Sequence, residues 1–407
     1  MTFAASRLAI VQPSASMAVS GRASDLKAAG HDVIDLGLGE PDFDTPAHIV
    51  EAAHAAALAG KTRYPPTGGT ADLREAVVAK LQRENGLLFA GDEIIVSNGA
   101  KQVIFDALMA TLEPGQEVLL CAPHFDTYKT MTSVIGGVPK VIDCSGHDEF
   151  RLTPEKLEKA ISKSTRWLLL NVPSNPAGAC YTADELAALG EVLEKHSDVL
   201  ILSDEIYEHI IFDDRKFVSF LEACPNLRGR TLIVNGVSKA YAMTGWRIGY
   251  GAAPKALITE MTKVQSQITS GACSIAQAAA TVALNGPQDH IAEFRQAFER
   301  RRNIVVDGIA GVPALTLDPP GGTFYTFIGC ANAIGSKTLD GSTIQDDVAF
   351  AQYLLDDGHV AAVPGSAYSL SPFFRLSTAT SDENLVEAMK RIASSVSKLT
   401  LRDGVNT

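Results

Sequence analysis

Six apolar runs, each about a strand long and each closed by turn residues, constrain this chain more than any other feature. They are "EIIVS" (93–97), "EVLLCAP" (117–123), "RWLLLNVP" (166–173), "VLILSDE" (199–205), "TLIVNGVS" (231–238) and "RIGYGAA" (247–253). Their hydrophobicity does not alternate, so both sides of each strand must be buried, as in a parallel sheet covered by helices. Helical patterns stand between them, as in "KQVIFDALMATL" (101–112) and "TADELAALGEVLEKHS" (182–197). The second opens on Thr182 with Glu185 three residues on, a capping box. This alternation predicts an α/β fold with ligand sites at the carboxyl ends of its strands.

A chain of 407 residues exceeds what one core supports, which predicts two domains. Near residue 285 the texture changes to a long arginine-rich helical stretch (289–311), short strands around "GGTFYTFI" (321–328) and "RLSTAT" (375–380), and a final helix (381–399). The expected division is an N-terminal segment (1–47) joining the small domain, a large domain (48–288) and a smaller α+β domain (289–407). With 35 basic against 47 acidic side chains the net charge is −12, which argues against a nucleic-acid face while leaving a locally positive small-molecule site open. The six cysteines form no C-x-x-C pair and read as reduced thiols, without a metal site or disulfide framework. The N-terminus lacks a sustained apolar stretch, and nowhere do 18 apolar residues follow one another, so a cytoplasmic protein is expected.

Each strand end carries something polar. "SNGAKQ" (97–102) leaves a strand and opens a helix, where free backbone N–H groups and the positive dipole end can cradle a phosphate. "NVPSNPAG" (171–178) supplies two asparagines, "SDEIYEH" (203–209) crowds Asp204, Glu205, Tyr207 and His209, and "VSKAYAMTGWRIGY" (237–250) holds Lys239 and Arg247. Alone, each has a plain explanation as a turn, a helix cap or a surface charge. Together they supply what pyridoxal 5'-phosphate requires. Its aldehyde needs an amine, its ring nitrogen a carboxylate that keeps it protonated, its ring hydroxyl donors, and its phosphate an arginine with helix-terminal amides.

On these motifs, with "PSASMAVS", "LGLGEPDFDTP", "TRYPPTGG" and "FRLSTATSDENL" following in order, the chain resembles the class I pyridoxal-phosphate-dependent aminotransferases, in the bacterial aspartate aminotransferase subgroup. The resemblance spans nearly the whole chain. It implies the aspartate aminotransferase-like fold (fold type I), a mostly parallel central sheet flanked by helices with a smaller α+β domain, and a homodimer with composite sites. Residue by residue, it implies that Lys239 is the Schiff-base lysine, Asp204 the partner of the ring nitrogen, and Asn175 and Tyr207 the pair on the ring hydroxyl. Arg247, with Gly99, Ala100 and Lys101, would hold the phosphate; Phe125 would stack on the ring; Tyr64 would reach the phosphate of the other subunit. Arg375 would grip the substrate α-carboxylate with help from the Gly39 backbone, and Lys101 and Ser16 would meet a distal carboxylate. Aspartate and glutamate are the expected donors, with prephenate as a further dicarboxylate acceptor.

Two departures stand out. Gly236 occupies the position where some relatives carry a phosphate-binding serine, which leaves Ser238 as a substitute, and "AYSLSPFFRL" (367–376) lacks the glycine-rich stretch common before this arginine. Other readings are an aminotransferase for neutral or aromatic amino acids, or a lyase on the same fold. A nicotinamide-dependent dehydrogenase would need a G-x-G-x-x-G turn after a first strand, which "GLGEPDFD" does not supply.

Overall fold

The computed structural model describes residues 3–11, 14–146 and 149–401. Pro13, the first residue of the "PSASMAVS" stretch, lies outside them. In chain order the strands are β1 (Ile34–Asp35), β2 (Ile94–Asn98), β3 (Glu117–Ala122), β4 (Val138–Asp143), β5 (Thr165–Asn171) and β6 (Leu200–Asp204). They continue with β7 (Thr231–Gly236), β8 (Ile248–Ala252), β9 (Tyr325–Gly329), β10 (Val360–Ala361), β11 (Val363–Pro364) and β12 (Phe373–Ser377).

A seven-stranded sheet runs in the order β2-β8-β7-β6-β5-β3-β4. Successive residues feed opposite faces, as the strand period of two requires. Val96, Leu119, Leu168, Ile201 and Ile233 join one buried cluster, and Ile95, Val118, Leu169, Leu202 and Leu232 another. Both faces are therefore covered by helices, which accounts for the unbroken apolar runs.

All six expected strands are present, with two differences. β8 pairs antiparallel with both β7 and β2, whereas its apolar pattern suggested a parallel strand. A parallel return needs a helical crossover, and the segment between Gly236 and Ile248 contains no helix. β4 escaped the sequence reading because it is a half-exposed edge strand carrying Pro139 and Lys140. The helix Ala183–Glu194 carries the expected capping box, Thr182 accepting from the Glu185 amide while Glu185 accepts from that of Thr182.

β9, β12 and β11 form a separate antiparallel sheet, and β1 pairs in parallel with β10. Ile34 and Leu36 thereby enter the core built by the helices Asp289–Ala310, Asp347–Gly358 and Asp382–Ser397. The consecutive arginines of the long helix reach three segments. Arg300 pairs with Asp382, Arg301 with Asp42 (2.8 Å) and Arg302 with Asp213 (2.6 Å). The Arg301–Asp42 pair, with Phe43 stacked on Phe294 at 4.1 Å, fixes the loop after Leu36 against this helix. Among the described residues no helix is long and apolar enough to cross a membrane.

Candidate active site

The carboxyl ends of β5, β6 and β7 lie side by side, with Asn171 in register with Asp204 and Asp204 with Val234. The residues just past these ends, Asn175, Tyr207, Ser238 and Lys239, line one cleft of about 560 Å³. Because β8 runs the opposite way, its start lies at this end, and Arg247 reaches the cleft from the residue before it. Ser16, Gly39, Ala100, Lys101, Phe125, Asp204 and Arg375 complete the set of expected residues that line it.

Gly99 opens the helix Ala100–Thr111 at φ +84°, a conformation that favours glycine. A Cβ there would stand 2.5 Å from Arg247 Nη2, and one at Gly249 would stand 2.1 Å from the Ala100 nitrogen. The glycines thus bring an arginine against a helix start whose Ala100 and Lys101 amides donate no hydrogen bond to a described residue. At Gly236 a Cβ would press on the Ile248 carbonyl oxygen at 2.8 Å, so a serine does not fit there.

Asp204 is buried by the sheet, and that burial raises its carboxyl to about 6. Tyr128, which donates to Asp204 Oδ2 at 2.6 Å, and the Ile206 amide oppose the rise, as does the Lys239 charge. Lys239 Nζ donates to the Gly39 carbonyl at 2.5 Å. Desolvation in the cleft, then the Arg375 charge, lowers its amine to about 8. Tyr207 meets Tyr325, hydroxyl to hydroxyl, at 3.2 Å.

Arg375, only 2 % exposed, donates to the Gly37 carbonyl (2.6 Å), Ser16 Oγ (3.2 Å) and Asn175 Oδ1 (3.2 Å). These partners are neutral, and its buried Nε has no partner among the described residues. Lys101 Nζ lies 5.0 Å from the centre of the Phe125 ring, both residues lining the cleft. Desolvation lowers its pKa; Asp126 opposes this and Arg247 adds to it.

Two neighbours of Asp204 in sequence point elsewhere. Glu205 accepts from Ser203 Oγ, Ser219 Oγ and the Phe220 amide, and burial, then the Glu208 charge, pushes it to about 8. His209 bonds Glu84 at 2.9 Å. Tyr64 is 93 % exposed and stands outside the cleft. The sequence reading gave no role to Tyr128, Asn171, Glu40, Thr244 or Tyr325, all of which line the cleft.

This donor set fits pyridoxal 5'-phosphate: an amine, a buried carboxylate, a phenol, and an arginine at a glycine-opened helix start. The profile of the family described as Aminotransferase class I and II matches residues 31–392. An aspartate aminotransferase of Rhizobium meliloti (strain 1021) is 50 % identical over 97 % of this chain and 96 % of its own length. An aspartate/prephenate aminotransferase of Cereibacter sphaeroides is 49 % identical over 96 % of this chain and 98 % of its own. The crystal structure of the Rhizobium meliloti aspartate aminotransferase superposes with a TM-score of 0.96 at 50 % identity, covering 98 % of this chain and 100 % of that one. The Thermus thermophilus aspartate aminotransferase with maleate reaches 0.90 at 38 % identity, covering 97 % and 100 %. Sequence, fold and cleft agree: the chain belongs to the class I and II aminotransferases, enzymes that move an amino group between an amino acid and a 2-oxo acid with pyridoxal 5'-phosphate as cofactor.

Proposed function

We propose that this aminotransferase works on dicarboxylic substrates, aspartate or glutamate with the matching 2-oxo acids. One observation carries the reading: four cations, Lys101, Lys239, Arg247 and Arg375, line the cleft, and none of them pairs with a carboxylate of the described residues within 4 Å. Lys239 serves the cofactor aldehyde and Arg247 its phosphate, which leaves Arg375 and Lys101 for two carboxylates. The names of the Rhizobium and Cereibacter relatives support the same donor.

When bound, the cofactor supplies an electron sink for the carbanion formed at the substrate α-carbon. Asp204 holds the ring nitrogen in its protonated form; with a carboxyl near 6 it is mostly ionised at pH 7 and above. Asn175 and Tyr207 would hold the ring hydroxyl, and Phe125 would pack against the ring. The Gly99 turn with the backbone amides of Ala100 and Lys101, and Ser238, would help Arg247 with the phosphate, leaving the Lys101 ammonium free for substrate. Arg375 would take the α-carboxylate, held in place by Asn175, Ser16 and the Gly37 carbonyl, with the Gly39 backbone alongside. Lys239, with its amine lowered to about 8, is about half neutral at pH 8 and can take the substrate α-proton at Nζ and return it.

The reading extends to a two-fold dimer in which Tyr64, exposed on each protomer, serves the other's phosphate site. It divides the chain at 47 and 288, supported by the pairing of β1 with β10 and by the break between the helices Ser274–Asn285 and Asp289–Ala310. It also puts the enzyme in the cytoplasm, supported by six unpaired cysteines, of which Cys273 is exposed.

Lys101→Met tests the substrate assignment. A charge-assisted hydrogen bond is worth about 1.5–3 kcal/mol, so kcat/KM for aspartate should drop about ten- to hundredfold, with little change for alanine or phenylalanine. An equal loss on acidic and neutral donors would assign Lys101 to the cofactor and remove the case for aspartate.

A further inference from the structure

Tyr325 joins parts of the site that come from different sheets. It lies on β9 of the small sheet, opposite Ser377 and diagonal to Arg375 on β12, so both side chains share one face. The Arg375 guanidinium carbon stands 4.4 Å from the centre of its ring. Its hydroxyl meets Tyr207, which stands past the end of β6 in the large sheet, at 3.2 Å. Gly39 is the third neighbour: a Cβ there would lie 2.4 Å from the Tyr325 oxygen. Tyr325 is only 2 % exposed, and the charged groups facing the two phenols are Arg375, Asp204, Glu40 and Asp126.

The direction of the bond between the phenols decides what it does. Each tyrosine has one proton to donate. If Tyr207 gave its proton to Tyr325, none would remain for a ligand in the cleft. The guanidinium over the Tyr325 ring draws electron density from it and makes its O–H the stronger donor. A hydrogen bond accepted by a hydroxyl then polarises the one it donates.

We propose that Tyr325 is a positioning residue that couples Arg375 to Tyr207: its O–H donates to the Tyr207 oxygen and leaves the Tyr207 proton directed at the ring oxygen of the cofactor. The inference rests on the assignment of Tyr207 above. A stronger bond from Tyr207 withdraws electron density from that oxygen, so the Lys239 nitrogen bound nearby gives up its proton at lower pH. Loss of the Tyr325 hydroxyl should therefore raise the pH at which Lys239 Nζ titrates in the loaded enzyme.

The experiment is a pH titration of the visible absorption of the cofactor-loaded enzyme, for the wild type, Tyr325→Phe, Tyr207→Phe and the double variant. The net worth of a neutral hydrogen bond sets a rise of about 0.5–1 pH unit in the midpoint for Tyr325→Phe. Tyr207→Phe should raise the midpoint at least as far, and the double variant should match Tyr207→Phe alone, because Tyr325 acts only through it. A shift in Tyr207→Phe but none in Tyr325→Phe, or two shifts that add, overturns the coupling and leaves the cofactor assignment intact. No shift in Tyr207→Phe removes that assignment, and the inference with it. Should Tyr325→Phe lose its fold by thermal melting, Gly39→Ala displaces the same hydroxyl with a methyl group. An unchanged midpoint in that variant also counts against the coupling.

Discussion

Removing one hydroxyl, in Tyr128→Phe, should weaken cofactor binding far more than it weakens the fold. Tyr128 is buried at the start of the helix Asp126–Ile135, and its O–H donates to Asp204 Oδ2 at 2.6 Å. Burial already lifts the Asp204 carboxyl to about 6, and the Tyr128 bond is the largest of the effects holding it down. A short bond to a charged acceptor is worth about 1.5–3 kcal/mol, or one to two pH units. Its loss would carry the carboxyl to about 7–8. The folded pKa of this acid is raised, so the ionised form that a ring cation needs is present above that value and lost below it. At pH 7 the wild-type carboxyl is mostly ionised and that of the variant mostly protonated. Absorbance titration of the apoenzyme with pyridoxal 5'-phosphate should show affinity reduced roughly tenfold or more at pH 7, with the gap narrowing toward pH 9. The phenyl ring stays within the core cluster that also holds Leu120 and Trp167, so the melting temperature should move little. Equal affinity at pH 7, or a gap that does not change with pH, would refute the claim that Tyr128 keeps Asp204 charged.

Lys239→Ala should abolish transamination yet retain measurable cofactor binding, since the phosphate and ring contacts remain; turnover near the wild-type rate in a steady-state assay would rule out the assignment. A Tyr64→Phe protomer paired with a Lys239→Ala protomer should form one site with both lesions and one with neither. Activity should then return on subunit exchange, and exchange without recovery would count against the shared site. Asp106 is fully buried with no hydrogen bond to either oxygen from a described residue, and desolvation raises its carboxyl to about 7. Gln102, alongside, offsets this without meeting hydrogen-bond geometry. The folded state keeps that proton while the unfolded chain releases it near 4, so stability falls from pH 4 to 7 and the full penalty, at most about 4 kcal/mol, stands above 7. Asp106→Asn should therefore raise the melting temperature by several degrees at pH 8 and hardly at all at pH 4.5, a pattern that calorimetry at both values would reveal or contradict.

What the sequence revealed, and what it withheld, follows from the range over which each signal acts. Strands buried on both faces write their burial into consecutive residues, as in Leu168, Leu169 and Leu170, and were legible without a partner. The edge strand β4 has no such demand on it and reads as loop. Polar residues at strand ends stood out because a buried strand that ends on Asp204 must account for the charge, and a glycine before a helix can leave its first amides open to an anion; the structure gathers Asp204 and Ala100 in one cleft. Beyond the strand end the period of two no longer holds, so nothing in "DEIYEH" tells that Tyr207 enters the cleft while Glu205 turns to Ser219 and His209 to Glu84. Tyr128 and Tyr325 were hidden for the opposite reason. Each sits at a position where a core aromatic would serve equally well, and only the arrival of Asp204, at the end of β6, or of Tyr207, just past it, turns its hydroxyl from a burial cost into a bond. A buried phenol without a partner is unfavourable, so the tyrosines in "FDTYKT" and "GGTFYTF" carried the information that some polar group must come to meet them. Which group came was decided by the register of β6 beside β5 and of β9 beside β12, and that register is a property of the whole sheet.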